Sequence, residues 1–95
     1  MPIRGAGIKK TKAFFDVERV ITSHGFRHGA PNRMPSPGFR FYSRNGYVVQ
    51  VLNGRRVSIT RPDGTGQVIS AKRLVNVDTA LDCVILEIEE QEAGQ

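Results

Sequence analysis

The dipeptide Asn-Gly occurs twice in quick succession, at Asn45-Gly46 and Asn53-Gly54, and each copy is flanked by β-branched and aromatic residues. A two-residue type I′ turn needs positive φ at both central positions, and Asn-Gly meets that need at little steric cost. Two such turns predict a three-stranded antiparallel meander over residues 39–44, 47–52 and 55–60. A third turn at Pro62-Asp63-Gly64 leads to a short fourth strand near 67–70.

The flanks of the meander read as helices. In residues 12–24, Phe14, Val17 and Ile21 form one apolar stripe at helical spacing. Thr11 is placed to cap this helix, and Gly25 is placed to end it. In the tail, Leu81, Val84, Ile85 and Ile88 repeat the spacing, with Asp78 as the expected cap of a helix from Thr79. The same residues also suit a strand; helix is the favoured reading. Residues 25–38 hold three prolines and three glycines, so a loop is expected throughout. The fold class is therefore α+β: an N-terminal helix, a three- or four-stranded antiparallel meander, and a C-terminal helix packed on one sheet face. Residues 1–11 read as a flexible basic arm, 12–92 as a single small domain and 93–95 as a tail.

Two-residue turns fix register, and register fixes the faces. Across the two Asn-Gly turns, Arg40, Tyr42, Arg44, Tyr47, Val49, Val51, Arg56, Ser58 and Thr60 fall on one side. Phe39, Phe41, Ser43, Val48, Gln50, Leu52, Arg55, Val57 and Ile59 fall on the other. The second set is the more apolar, so it is expected to lie under the helices. The first then becomes an exposed platform of arginine and tyrosine.

Charge points to a partner for such a platform. The 95 residues carry 14 Lys+Arg against 9 Asp+Glu, a net of +5. Residues 1–73 hold all 14 basic groups and three acids (Asp16, Glu18, Asp63), a net of +11. Residues 74–95 hold six acids and no basic group, a net of −6. A field this lopsided suits a polyanion. The expected function is nucleic-acid binding without catalysis, with DNA ahead of RNA. Arg40, Tyr42, Arg44, Tyr47, Arg56 and Ser58 are the expected contacts from the sheet. Arg27 and Arg33 add to them from the loop, and Lys9, Lys10 and Lys12 from the arm. The alternatives are a protein-binding accessory or inhibitor module of phage type, a homodimer joining the basic face to the acidic tail, and a structural component of a larger assembly.

Catalytic and metal chemistry have thin support. His24 and His28 with Cys83 fall short of a zinc ligand set, and no cofactor is expected. Cys83 lies in an apolar stretch and reads as core. Asp63-Gly64-Thr65-Gly66 lacks the Lys-Ser/Thr of a P-loop. A single cysteine and the absence of an apolar leader suggest a reducing cytoplasmic setting, including that of an infected host cell. No apolar run is long enough to span a membrane.

The order helix, meander, helix resembles small toxins of the HicA type. Those carry a histidine at the start of the first strand, where this chain has Ser36-Pro37-Gly38-Phe39, so the ribonuclease activity is not expected. Gly46-Tyr47-Val48-Val49 and Asn53-Gly54-Arg55-Arg56, followed by a C-terminal helix, resemble the arm-binding domain of phage-type integrases. That likeness implies a sheet face lying in the major groove of DNA. The element order is also similar to the double-stranded RNA-binding fold. There, Lys72 and Arg73 would stand before the second helix, although its usual lysine-rich run is absent.

Overall fold

The computed structural model describes residues 12–29, 40–53 and 55–94. Its elements are α1 (Lys12–Ser23), β1 (Arg27–His28), β2 (Arg40–Arg44), β3 (Tyr47–Asn53), β4 (Arg56–Thr60), β5 (Gly66–Ser70) and α2 (Leu74–Ala93). The expected cap Thr11 and the whole of 30–39 lie outside the described residues, as do Lys9, Lys10 and Arg33.

Phe14, Val17 and Ile21 are the buried stripe of α1, as their spacing predicts. The helix ends at Gly25, where φ is +83° and a Cβ would stand 3.0 Å from Arg44 Nη1. The next residues depart from expectation. Arg27 and His28 form a short strand on β2, pairing with Ser43 and Tyr42. Tertiary pairing thus claims part of a stretch whose composition reads as loop.

The strands form a five-stranded antiparallel meander in chain order. The β2–β3 hairpin matches the sequence derivation: Arg40 faces Val51, Tyr42 faces Val49 and Arg44 faces Tyr47. At its turn, Asn45 has φ 51° and Gly46 has φ 84°, the pair of positive values that Asn-Gly favours. The next hairpin does not match. Val49 pairs with Ile59, Val51 with Val57 and Asn53 with Arg56, with a register shift between Val51 and Asn53. Leu52 is the extra residue of a β-bulge, and β4 is displaced by one position from the Asn53-Gly54 turn geometry.

That displacement corrects the face assignment. Tyr42, Tyr47, Val49, Val51, Val57 and Ile59 together form the buried side of the sheet. They pack against Phe14, Val17 and Ile21 of α1 and Val77, Leu81, Val84 and Ile88 of α2 in one core. Both tyrosines are therefore inside. Arg56, Ser58 and Thr60 belong to the opposite side, together with Ser43, Val48 and Gln50. The slip wins because it puts Val57 and Ile59 into the core, where the turn-derived register would have buried Arg56 and Ser58.

The tail is helical, but α2 begins at Leu74, five residues before the expected start. Asp78 lies inside the helix, and the N-cap residue is Arg73, with no side-chain cap. Val77 extends the stripe of Leu81, Val84 and Ile88 by one turn, so core packing outweighs the missing cap. The same stripe turns Cys83 outward, correcting its expected place in the core. Among the described residues, no helix is long and apolar enough to cross a membrane.

The inverted inside and outside of β4 is directly testable. Ile59→Ala should cost about 2–5 kcal/mol of stability, as a buried large-to-small change. Ser58→Ala should stay within about 0.5 kcal/mol, as a change on the open side. Urea denaturation of both variants checks the register, and a costlier Ser58 would reverse it.

Candidate nucleic-acid interface

The residues expected to form one platform divide between two sides of the sheet. Tyr42 is 0% exposed and donates its hydroxyl proton to Glu18 Oε2. His28 lies against it, with ring centroids 4.8 Å apart and Nε2 3.2 Å from the same carboxylate oxygen. Tyr47 is 1% exposed; it donates to Glu87 Oε1 at 3.2 Å and accepts from Gln91 Nε2 at 3.2 Å. Neither ring can offer a stacking face to a base. Arg44 donates from Nη1 to the His24 carbonyl at 2.8 Å, which fastens β2 to the end of α1. Arg40 lies beside Glu18 at the rim of this side. Lys12 pairs with Asp16 at 3.1 Å on α1. Arg27, Arg56 and Ser58 are left on the other side of the sheet, Arg27 beside Ser43 on the first strand.

On that open side a different cluster is assembled. Arg56 pairs with Ser70 across β4 and β5, and the Ala71 amide donates to the Arg55 carbonyl at 2.6 Å. This pairing brings the dibasic step Arg55-Arg56 against the dibasic step Lys72-Arg73. A recess of about 640 Å³ results, lined by Arg55, Arg56, Val68, Ser70 and Lys72. A second hollow of about 380 Å³ shares Arg55 and Lys72 and reaches Ala13 and Ala71. Among the described residues, no acidic side chain lines either one. The turn-derived register puts Arg55 on the face to be covered, and Lys72 enters only through the likeness to the double-stranded RNA-binding fold. The signal for the recess is two dibasic steps at the open ends of consecutive strands.

The start of α2 adds to this field. A helix N-terminus carries partial positive charge and ordinarily takes an acidic or hydroxyl residue there. Here the cap position is Arg73, preceded by Lys72, and the first turn has no acidic residue. The recess therefore gathers cations against the positive end of a helix, an arrangement that an anion relieves.

The acids, by contrast, are used inside the fold. Arg61 holds Glu87 with two hydrogen bonds, Nε to Oε1 at 2.9 Å and Nη2 to Oε2 at 3.0 Å. The Arg61 hydrogen bond lowers the Glu87 carboxyl below its ordinary range, against the opposing effect of burial. Burial alone would raise Glu18, but hydrogen bonds from Tyr42 and His28 outweigh it and bring the group below its usual value. Burial and the bond to Glu18 push the Tyr42 hydroxyl far upward. Asp63 is lowered by the Thr65 hydroxyl and amide, which it accepts at 2.7 and 2.9 Å within the β4–β5 loop.

Both Glu18 and Glu87 bind a proton more weakly in the folded chain than in the unfolded one. Their stabilisation is complete above the ordinary carboxylate range and is lost as pH falls through their lowered folded values. Thermal midpoints followed from about pH 7 down to about pH 2.5 should drop in acid. Glu18→Gln and Glu87→Gln should each flatten that decline while lowering stability at neutral pH. An unchanged acid limb in both variants would show that neither carboxylate carries the dependence.

Compared with known proteins, the chain matches no family model, no curated protein and no solved structure.

Proposed function

We propose that this protein binds nucleic acid, with duplex DNA as the favoured form, through the open side of its sheet and the cationic recess at the β4–β5 end. The carrying observation is the recess itself: Arg55, Arg56 and Lys72 with Ser70, set beside the start of α2 and lined by no acid among the described residues. Arginine and lysine are suited to hold phosphate, and the helix N-terminus supports the same charge preference. The adjoining sheet side offers Ser43, Gln50, Ser58 and Thr60, whose hydroxyls and amide can donate to phosphate, sugar or base edges. A β-ribbon fits the major groove of B-form DNA, whereas the deep and narrow major groove of an RNA duplex does not admit one. No group in this arrangement is asked to break a bond.

A second reading rests on α2. Val75 and Leu86 are exposed and lie three turns apart on one side of the helix. Apolar side chains so placed suit a protein partner, whether an accessory target, a second copy or a neighbour in an assembly.

Fluorescence anisotropy against labelled duplex DNA, single-stranded DNA and duplex RNA distinguishes these readings. Binding to duplex DNA should weaken by orders of magnitude between about 50 and about 200 mM salt. Arg56→Ala combined with Lys72→Ala should reduce the slope of log affinity against log salt by about 2, one for each phosphate contact. Arg40→Ala combined with Arg44→Ala should leave that slope unchanged. Failure to bind any of the three polymers would reject the nucleic-acid reading and favour the protein partner.

A further inference from the structure

We propose that His24, Asp78 and Asp82 form a site for a divalent transition-metal ion, with zinc the best match, at the seam between α1 and α2. His24 lies just beyond α1, and its side chain is 10% exposed. Its Nδ1 stands 2.8 Å from the Val20 carbonyl. A carbonyl only accepts, so Nδ1 carries the proton and Nε2 presents its lone pair in the neutral ring. That nitrogen faces two carboxylates, Asp82 Oδ1 at 2.8 Å and Asp78 Oδ1 at 3.3 Å. A lone pair opposed by two anions is unfavourable unless a cation lies among them.

The cation is either a second proton on Nε2 or a metal ion, and the geometry favours the metal. A single N–H bonds well to Asp82 at 2.8 Å and leaves Asp78 a weaker contact at 3.3 Å, whereas a metal ion would serve both converging aspartates. They sit one turn apart on α2, and like charges at that spacing repel in the absence of a shared ion. One ligand atom from each of the three residues lies within 4.8 Å of the others. In a tetrahedral site with ligands about 2.0 Å from zinc, neighbouring ligand atoms are ~3.3 Å apart. The Asp78 separation already has that value, and Asp82 needs to withdraw by ~0.5 Å to reach it.

The supporting chemistry is consistent. Metal-bound histidines commonly donate their other ring N–H to a main-chain carbonyl, which fixes the ring, as Val20 does here. One imidazole and two carboxylates suit zinc, with manganese or nickel as competitors, better than calcium or magnesium, which prefer oxygen ligands alone. The aspartate side chains are 55% and 67% exposed, so water can reach a fourth position. Arg44 approaches from β2, but its guanidinium is occupied by the His24 carbonyl, not by either aspartate. The site shares no residue with the recess of Arg55, Arg56 and Lys72, and the proposal does not depend on nucleic-acid binding.

Calorimetric titration of the metal-free full chain at neutral pH, with zinc, manganese and magnesium chlorides as probes, tests the site. Zinc should bind one equivalent and raise the thermal midpoint, and EDTA should reverse the shift. His24→Gln, Asp78→Asn and Asp82→Asn should each weaken zinc binding by about tenfold or more, whereas His28→Gln should not. Cys83→Ser guards against thiol binding, because that cysteine is exposed on the same helix. Zinc uptake that disappears in Cys83→Ser but survives in Asp78→Asn and Asp82→Asn would overturn the proposal. So would the absence of any zinc effect on the heat signal and on the thermal midpoint of the unaltered chain.

Discussion

One extra residue in β3 decides which side of the sheet is dry. With the bulge at Leu52, Val49 and Val51 face Ile59 and Val57, and a continuous apolar surface runs across β2, β3 and β4. Both helices settle on that surface, α1 through Phe14, Val17 and Ile21 and α2 through Val77, Leu81, Val84 and Ile88. Without the bulge, Val57 and Ile59 would point away from both helices. Arg56 would be carried to the inner side, and the cationic recess could not form. Core and recess therefore depend on the same local distortion, which is why a bulge here is a structural requirement.

The buried tyrosines show how the fold spends its acidic groups. A tyrosine inside a small core must satisfy its hydroxyl. Glu18 does so for Tyr42, and Glu87 with Gln91 does so for Tyr47. Arg61 then holds Glu87 in place from the end of β4, and His28 approaches Glu18 from β1. These contacts neutralise acids against the inner side and the rim of the sheet. Arg27 and Arg56 stand on the opposite side. The lopsided charge of the sequence is thereby converted into a lopsided charge in space, with the recess at its positive end.

Much of the architecture can be read from local chemistry, and the exceptions have a common cause. The stripe Phe14, Val17, Ile21 and the turn Asn45-Gly46 are self-contained signals, and both α1 and the β2–β3 register follow from them. The β3–β4 register is not legible in the sequence because a bulge carries no fixed residue signature, and burial of Val57 and Ile59 prevails over the apparent turn. The short strand Arg27–His28 exists through pairing with β2, which no local pattern announces. The start of α2 has no local signal, because Arg73 is a poor cap and Val77 alone extends the stripe. For the candidate sites, charge pointed toward a polyanion but not toward the correct side of the sheet. The cluster of His24, Asp78 and Asp82 joins residues far apart in the chain, and only helix packing brings them together.

The second helix ties these observations into one physical picture. Cations precede its N-terminus, and Glu87, Glu89, Glu90 and Glu92 crowd its C-terminal half, so both ends oppose the helix dipole. Such a helix gains little from its own electrostatics and depends on its apolar stripe, on Arg61 holding Glu87, and on Asn45 reaching Glu92 at 3.2 Å. Between the two ends, Asp78 and Asp82 turn toward His24 at the end of α1. An anion beside the N-terminus and a cation at the helix seam would each relieve an unfavourable charge arrangement built into the free fold. Each ligand would then bind the folded chain in preference to the unfolded one, and stabilise it by mass action. The glutamates of the C-terminal half hold no ligand in this picture; their cost is met by Arg61, Asn45 and the apolar stripe, whereas the cations before the N-terminus would be relieved by a bound anion.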